Sequence, residues 1–127
     1  MLKVQTRNLG TVAVLCLQGQ IVNGETEILR NAVHFLPEVS AVILDLARVT
    51  TVDAGGLGVM LQLREWAQSK GIRFELTNVT KQIGRVLEIT RLDSVFRITS
   101  GVEYFPTVSR SRRASLGMPG ATLASCA

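Results

Sequence analysis

The sequence predicts a single α/β domain with a mixed, mainly parallel sheet of about five strands and three or four helices. Short apolar runs rich in β-branched residues alternate with stretches of helical periodicity, and only a glycine turn separates the first two strands. Alternating strands and helices favour parallel pairing, whereas a hairpin adds one antiparallel strand. The chain has 127 residues, enough to bury a core, and we assign residues 1–106 to this domain.

The strands are predicted from apolar runs of the two kinds that sheets use. Residues 4–7 and 11–17 form a hairpin, and residues 41–46 form a strand buried on both faces. Residues 72–77 alternate apolar and polar side chains, which predicts a half-exposed strand. A last short strand is expected at residues 95–98.

The helices are predicted from capping residues and from apolar side chains at helical spacing. Asn23, Asp53 and Thr80 are expected to cap the three helices, with Pro37 ending the first and Gly71 the second. The apolar stripes are Ile28, Ala32, Phe35 and Leu36, then Val59, Met60, Leu63, Trp66 and Ala67, then Ile83, Val86, Leu87 and Thr90. Each stripe occupies one side of its helix, as in amphipathic helices that cover a core.

The composition changes after Pro106. Residues 107–127 are rich in Ser, Arg and Gly without apolar periodicity, which predicts a disordered basic tail. This tail carries three of the four excess positive charges, whereas residues 1–106 hold 11 basic and 10 acidic residues. A nucleic-acid-binding domain shows a concentrated basic face, so we expect no nucleic-acid partner. Three tail arginines are also too few for stable membrane association.

Residues that could support catalysis or bind a metal are few and scattered. The single histidine, His34, is predicted on the solvated side of the first helix, and Asp45 and Asp53 are the only acidic pair. Cys16 is predicted to be a small buried apolar residue, and Cys126 to be a thiol without a function in the tail. The spacing of the two cysteines matches no metal-binding or redox motif. No G-x-S-x-G or P-loop motif is found. We therefore expect no enzymatic activity, no catalytic residue, no metal and no cofactor.

A cytoplasmic location is expected from the character of the apolar runs. The densest run, residues 12–17, is far shorter than the roughly 20 residues of a membrane-spanning helix. The N-terminal residues do not read as an export signal. The oligomeric state stays open, because a half-exposed strand could pair with a second copy to form a homodimer.

The stretch T-T-V-D-A-G-G-L-G at residues 50–58 is the most informative part of the chain. Glycines in a first helical turn each cost roughly 0.5–1 kcal/mol against alanine, so they indicate a close approach to another backbone or surface. Either a tight turn packs on the sheet, or a partner docks there. The glycine spacing fits neither nucleotide-binding motif, and nucleotide or anion binding is kept as an alternative. The candidate partner-binding residues are Thr50, Thr51, Asp53, Ala54, Gly55, Gly56, Leu57 and Gly58.

Two stretches together resemble STAS domains, the anti-sigma-factor antagonist family. Residues 41–58 resemble that family's strand ending in Asp, followed by Asp-Ser-Ser/Thr-Gly-Leu-Gly at the start of a helix. Residues 78–96, with V-L-E-I-T-R-L-D, resemble its later helix, and the similarity spans residues 3 to 105. The resemblance implies a bacterial partner-switching module. Such a module binds an anti-sigma factor that is also a serine kinase of ATPase fold, and phosphorylation in the helix-opening motif breaks the complex.

The sequence departs from the family pattern at the phosphorylation site. Gly55 stands at the family's acceptor position, Ala54 replaces the preceding serine, and Val22 replaces a nearby acidic residue. These departures lead us to expect a domain that binds its partner without phosphorylation control, or one that uses a different class of partner. The hydroxyls of Thr50 and Thr51 are expected to make turn hydrogen bonds. Because STAS domains also serve as cytoplasmic accessories of transporters, an accessory subunit of an ABC or anion transport system is the alternative.

Overall fold

The computed structural model describes residues 1–99, which form five strands and three helices. In chain order these are β1 (Lys3–Leu9), β2 (Val12–Ile21), α1 (Thr26–His34), β3 (Ala41–Val52), α2 (Ala54–Ser69), β4 (Arg73–Thr77), α3 (Lys81–Ile89) and β5 (Arg97–Thr99). The tail expected at residues 107–127, with Cys126, lies outside the described residues.

The five strands form one sheet in the order β1-β2-β3-β4-β5. β1 pairs antiparallel with β2, and the remaining neighbours pair in parallel. The predicted fold class is confirmed. Each helix connects a strand to its next parallel neighbour, and right-handed crossovers place all three helices on one face. The carboxyl ends of β2 to β5 therefore lie together, at what we call the C-terminal edge of the sheet.

The main core lies between the helices and the facing side of the sheet. Its largest buried side chains are Leu2, Leu15, Leu17, Ile21, Leu29, Leu44, Leu46, Met60, Leu63, Leu76, Ile83 and Leu87. Alternate positions of β2 and β3 contribute Val14, Cys16 and Ile43 to a second, smaller cluster. Side chains alternate across a strand, so this cluster lies on the other face of the sheet. Cys16 is buried, as predicted.

The stripe predicted for α1 is correct for Ala32 and Leu36, which pack against the core, and wrong for Ile28 and Phe35. Leu29 and Val33 are buried, whereas the side chains of Ile28 and Phe35 are 44% and 83% exposed. Two apolar stripes of equal spacing run along this helix, and packing on β1 and α2 selects the one the sequence did not favour. The stripes of α2 and α3 are confirmed except for Thr90, which is exposed.

Two of the three predicted helix caps are confirmed. The side chains of Asp53 and Thr80 accept backbone hydrogen bonds at the starts of α2 and α3. Gly71 follows α2 with a φ of +73°, the left-handed conformation that suits glycine. The prediction for α1 is wrong, because its N-cap is Glu25, which makes no side-chain cap bond. Asn23 lies before the helix and has a different contact.

β3 is twice as long as predicted. It continues through Val52, so Thr50 and Thr51 belong to a strand and not to a turn. Register shifts in β2, on either side of Gly19, let the pairing with β3 resume as far as Ile21. Because the sequence beyond residue 46 has no clean alternation, its apolar pattern gave no sign of this extension.

β4 is buried, which contradicts the half-exposed strand expected from its alternating sequence. The residues Phe74, Glu75, Leu76 and Thr77 are all buried. β4 lies between β3 and β5, and its polar side chains are satisfied there. Glu75 pairs with Arg73, and Thr77 donates its hydroxyl to the Thr99 carbonyl at 3.0 Å. The following strand begins at Arg97, two residues later than predicted.

Candidate functional site

The start of α2 lies at the C-terminal edge of the sheet. β2 ends at Ile21 and β3 at Val52, and a single residue, Asp53, connects β3 to α2. The Asp53 N–H donates to the Ile21 carbonyl at 3.3 Å, which holds the helix start against the end of β2. In open α/β sheets, ligands and partners most often bind at this edge of the sheet.

Asp53 links three segments through its carboxylate. It accepts a hydrogen bond from the Gly56 N–H at 2.8 Å, and the Asn23 N–H lies 3.1 and 3.2 Å from its two oxygens. The Asn23 bond, followed by the Gly56 bond, holds the pKa of Asp53 below its ordinary value. Asp53 is therefore ionised at neutral pH, with its charge engaged by backbone N–H groups of the domain.

The three glycines of the motif have three different environments. A Cβ at Gly56 would lie 1.9 Å from the Ile21 carbonyl oxygen, so only glycine fits where α2 packs on β2. A Cβ at Gly55 would lie 3.1 Å from the Asn23 Cβ, which leaves room for a small side chain after a slight shift. A Cβ at Gly58 would meet nothing within 4 Å. Tight packing therefore explains Gly56 but does not explain Gly58.

The candidate residues divide into a surface and its support. Gly56 and Leu57 are buried, so they pack the start of α2 against the rest of the domain. The others are exposed or half-buried and form what we call the α2-start surface, namely Thr50, Thr51, Asp53, Ala54, Gly55 and Gly58. Asp53 is its only charged residue, and backbone N–H groups engage that carboxylate. The other groups of this surface are small and uncharged.

The two threonines lie in β3, beside β2. The Thr50 hydroxyl donates to the Gly19 carbonyl at 3.2 Å, which is a bond across strands and not the turn bond expected. Thr51 is exposed and stands opposite Gln20 in the strand register. Both side chains therefore lie on the β2–β3 ladder as it reaches the helix start.

Asn23 is a site residue that the sequence did not reveal. It precedes α1, donates its N–H to Asp53, and has the Cβ nearest to the Gly55 position. The contact joins residues 30 positions apart, so no local pattern signals it. Beside it, Val22 is half-buried and its carbonyl accepts the Glu25 N–H at 2.9 Å.

Other polar residues considered for chemistry lie away from this surface. Asp45 is buried and accepts hydrogen bonds from the Ala47 N–H at 2.9 Å and the Asn78 side chain at 3.0 Å. It connects β3 to the residue after β4 and forms no pair with Asp53. His34 is exposed, as predicted, and its ring stands edge-on to Trp66 at 4.9 Å between centroids. Within residues 1–99, no group of three or more potential ligands could hold a metal ion.

The STAS domain model matches residues 3–110. The chain belongs to the STAS domain family. A STAS-domain containing protein of Pseudomonas aeruginosa is 28% identical over 57 residues, which cover 45% of this chain and 56% of that protein. The match thus spans little more than half the length of this curated relative. No helix in the described part of the STAS domain is both long and apolar enough to cross a membrane.

Solved structures share the fold of this STAS domain. An anti-sigma factor antagonist from Mycobacterium paratuberculosis superposes with a TM-score of 0.69 at 20% identity, over 77% of this chain and 85% of that one. Unphosphorylated SpoIIAA, a Bacillus anti-sigma factor antagonist, superposes with a TM-score of 0.69 at 19% identity, over 87% of this chain and 97% of that one. A sulfate transporter family protein from Wolinella succinogenes superposes with a TM-score of 0.63 at 20% identity, over 69% of this chain and 75% of that one.

Proposed function

We propose that this STAS domain is a non-enzymatic regulator that binds a protein partner through the α2-start surface. The best-supported class is the anti-sigma-factor antagonist, which sequesters an anti-sigma factor. Two of the structural neighbours carry that description. The observation that carries the proposal is Gly58, a glycine inside a helix that no contact within the described domain requires. An open, side-chain-free helix start suits close contact with a second protein.

The complex is proposed to form without phosphorylation control. A phosphate adds −1.5 to −2 charges and is stabilised at a helix N-terminus, so a hydroxyl at position 55 would make a favourable switch. Gly55 has no hydroxyl, and Asn23 lies against the space where a side chain would stand. Val22 replaces the family's nearby acidic residue. These differences support a partner surface that gains no phosphate charge.

The proposed partner is an anti-sigma factor that is also a serine kinase of ATPase fold, in the cytoplasm. With this partner, the antagonist would stay bound whether or not ATP is present. Under this proposal, control would lie in the amount of the protein or in its partner.

Phosphate transfer tests the unswitched part of the proposal. The full chain would be incubated with a co-purifying anti-sigma kinase and ATP, and its intact mass measured. We expect no phosphate on the wild-type domain, and phosphate on Gly55→Ser. Gly55→Ala is the matched control, because it adds the same Cβ without a hydroxyl. Phosphate on Thr50 or Thr51 of the wild type would show that a switch exists.

A transport accessory is the second candidate, because a sulfate transporter family protein shares the fold. Affinity purification of the full chain from the source cell distinguishes the two. Recovery of an anti-sigma kinase supports the antagonist, whereas recovery of a membrane transport protein supports the accessory subunit. The Gly58→Leu variant should lose either partner if the α2-start surface makes the contact.

A further inference from the structure

A second site candidate lies at the opposite edge of the sheet, where the parallel strands begin. A cavity of about 840 Å³ opens between the end of α2, the start of β4 and the segment that leads into β5. Its lining residues are Arg64, Gln68, Gly71, Ile72, Arg73, Phe74, Ser94, Val95, Phe96 and Arg97. Ligand sites of proteins occupy roughly 300–1,000 Å³, so the volume suits a ligand of nucleotide size.

The lining of this cavity is strongly cationic. Arg64, Arg73 and Arg97 come from three different elements, and no Asp or Glu belongs to the lining. Such a concentration is unusual in a domain whose residues 1–106 carry nearly equal numbers of basic and acidic side chains. Three guanidinium groups, only one of them paired with a carboxylate, create a positive potential around the cavity that attracts anions.

Only one of the three arginines has a carboxylate partner among residues 1–99. Arg73 pairs with the buried Glu75, and its Nε lies 3.1 Å from a carboxylate oxygen. Arg64, half-buried on α2, and Arg97, exposed on β5, form no ion pair with the described residues. Two guanidinium groups are therefore available for a ligand, and guanidinium binds phosphate through paired N–H donors.

The rest of the lining can contact the body of an organic ligand. Ile72 and Val95 are half-buried and present apolar surface. Phe74 and Phe96 also belong to the lining, with their rings tilted at 6.3 Å between centroids. Gln68 and Ser94 are exposed and supply hydrogen-bonding groups. Apolar walls with a few polar groups are typical of small-molecule sites.

We propose that this cavity binds an organic phosphate of nucleotide size. Its phosphate groups would contact Arg64 and Arg97, and its apolar body would lie on Ile72 and Val95. The site is separate from the glycine-rich helix start, which is the place where the sequence first suggested nucleotide or anion binding. It goes beyond partner binding, since it would let a small molecule occupy the domain while the α2-start surface stays free.

Calorimetric titration of the full chain tests the site, with ATP, inorganic pyrophosphate and adenosine as probes. We expect saturable binding of one ATP per chain and no binding of adenosine, which lacks the phosphates. Pyrophosphate should bind about tenfold more weakly than ATP, because it lacks the organic body. The absence of ATP binding at millimolar concentration would overturn the proposal, and equal affinity for pyrophosphate would overturn the role of the apolar wall.

Two variants and a matched control locate the binding. Arg64→Gln and Arg97→Gln should each weaken ATP binding about tenfold or more, because each removes a charged donor to phosphate. Arg85→Gln makes the same charge change at an exposed position of α3 outside the cavity, and should leave ATP binding unchanged. Equal weakening in all three variants would contradict a defined site. Partner capture by the α2-start surface is a separate measurement, so the two proposals can fail independently.

Discussion

At the level of single residues, the glycines of one motif serve the fold in different ways. Gly56→Ala should lower the free energy of unfolding by about 2–4 kcal/mol, because the added Cβ overlaps the Ile21 carbonyl oxygen and α2 must shift. Urea denaturation measures the change.

Gly58→Ala is the matched substitution and should have the opposite sign. Its Cβ meets no atom within 4 Å, and alanine favours the helix over glycine by about 0.5–1 kcal/mol. A stability gain of that size would show that glycine at position 58 is not needed for folding. A loss comparable to that of Gly56→Ala would contradict the packing described for the start of α2.

The ionisation of Asp53 makes part of the stability depend on pH. Its pKa is lowered in the folded state by the N–H bonds of Asn23 and Gly56, so the ionised carboxylate favours the folded protein. This contribution is complete above the unfolded pKa of about 4, and is lost as the pH falls through the lower folded value.

Thermal unfolding of the wild type and of Asp53→Asn from pH 7 to pH 2 measures this contribution. The wild type should be the more stable above pH 4 or so, and the difference should narrow below it. A difference that stays constant to pH 2 would show that the carboxylate charge is not what stabilises the helix start.

At the level of elements, the rotation of α1 can be checked by substitution. Leu29→Ala should cost about 2–5 kcal/mol of stability, because it opens a cavity in the core. Ile28→Ala, one position earlier and 44% exposed, should cost much less. Denaturation midpoints of the two variants provide the comparison, and an equal or larger loss for Ile28→Ala would contradict the observed rotation of α1.

Local patterns sufficed for the order and type of the elements. Apolar runs, the hairpin turn, and the caps at Asp53 and Thr80 all depend on residues close in the chain. The features that local patterns did not predict depend on contacts between elements that are distant in the chain. β4 is buried despite its alternating sequence because β3 and β5 flank it, and the rotation of α1 is selected by its neighbours.

The candidate site was predictable only in part for the same reason. The motif identified the start of α2 and the Asp53 cap, whereas the role of Asn23 depends on a contact 30 residues away. The distinction between Gly56, which faces β2, and Gly58, which faces open space, requires the folded backbone. The cationic cavity gathers arginines 64, 73 and 97 from three elements, and no local motif joins them.

At the level of the whole molecule, the parallel sheet separates two surfaces of different chemistry. The C-terminal edge presents the small, uncharged groups of the α2-start surface, and the opposite edge presents the cationic cavity. A strand of five residues such as β4 spans about 17 Å, so a ligand at one edge need not touch a partner at the other.

One measurement decides whether the α2-start surface is a docking site. It is the dissociation constant of the complex with the co-purifying anti-sigma kinase, compared between the wild type and Gly58→Leu. A Cβ at position 58 would meet nothing within 4 Å, so the domain with leucine there should stay folded while the partner is obstructed. Glu88→Leu places the same side chain on an exposed position near the end of α3, away from the C-terminal edge, as a control. We expect Gly58→Leu to weaken the complex about 100-fold or more, equivalent to about 2.7 kcal/mol, and Glu88→Leu to leave it unchanged. An unchanged dissociation constant for Gly58→Leu would mean that the open helix start plays no part in binding.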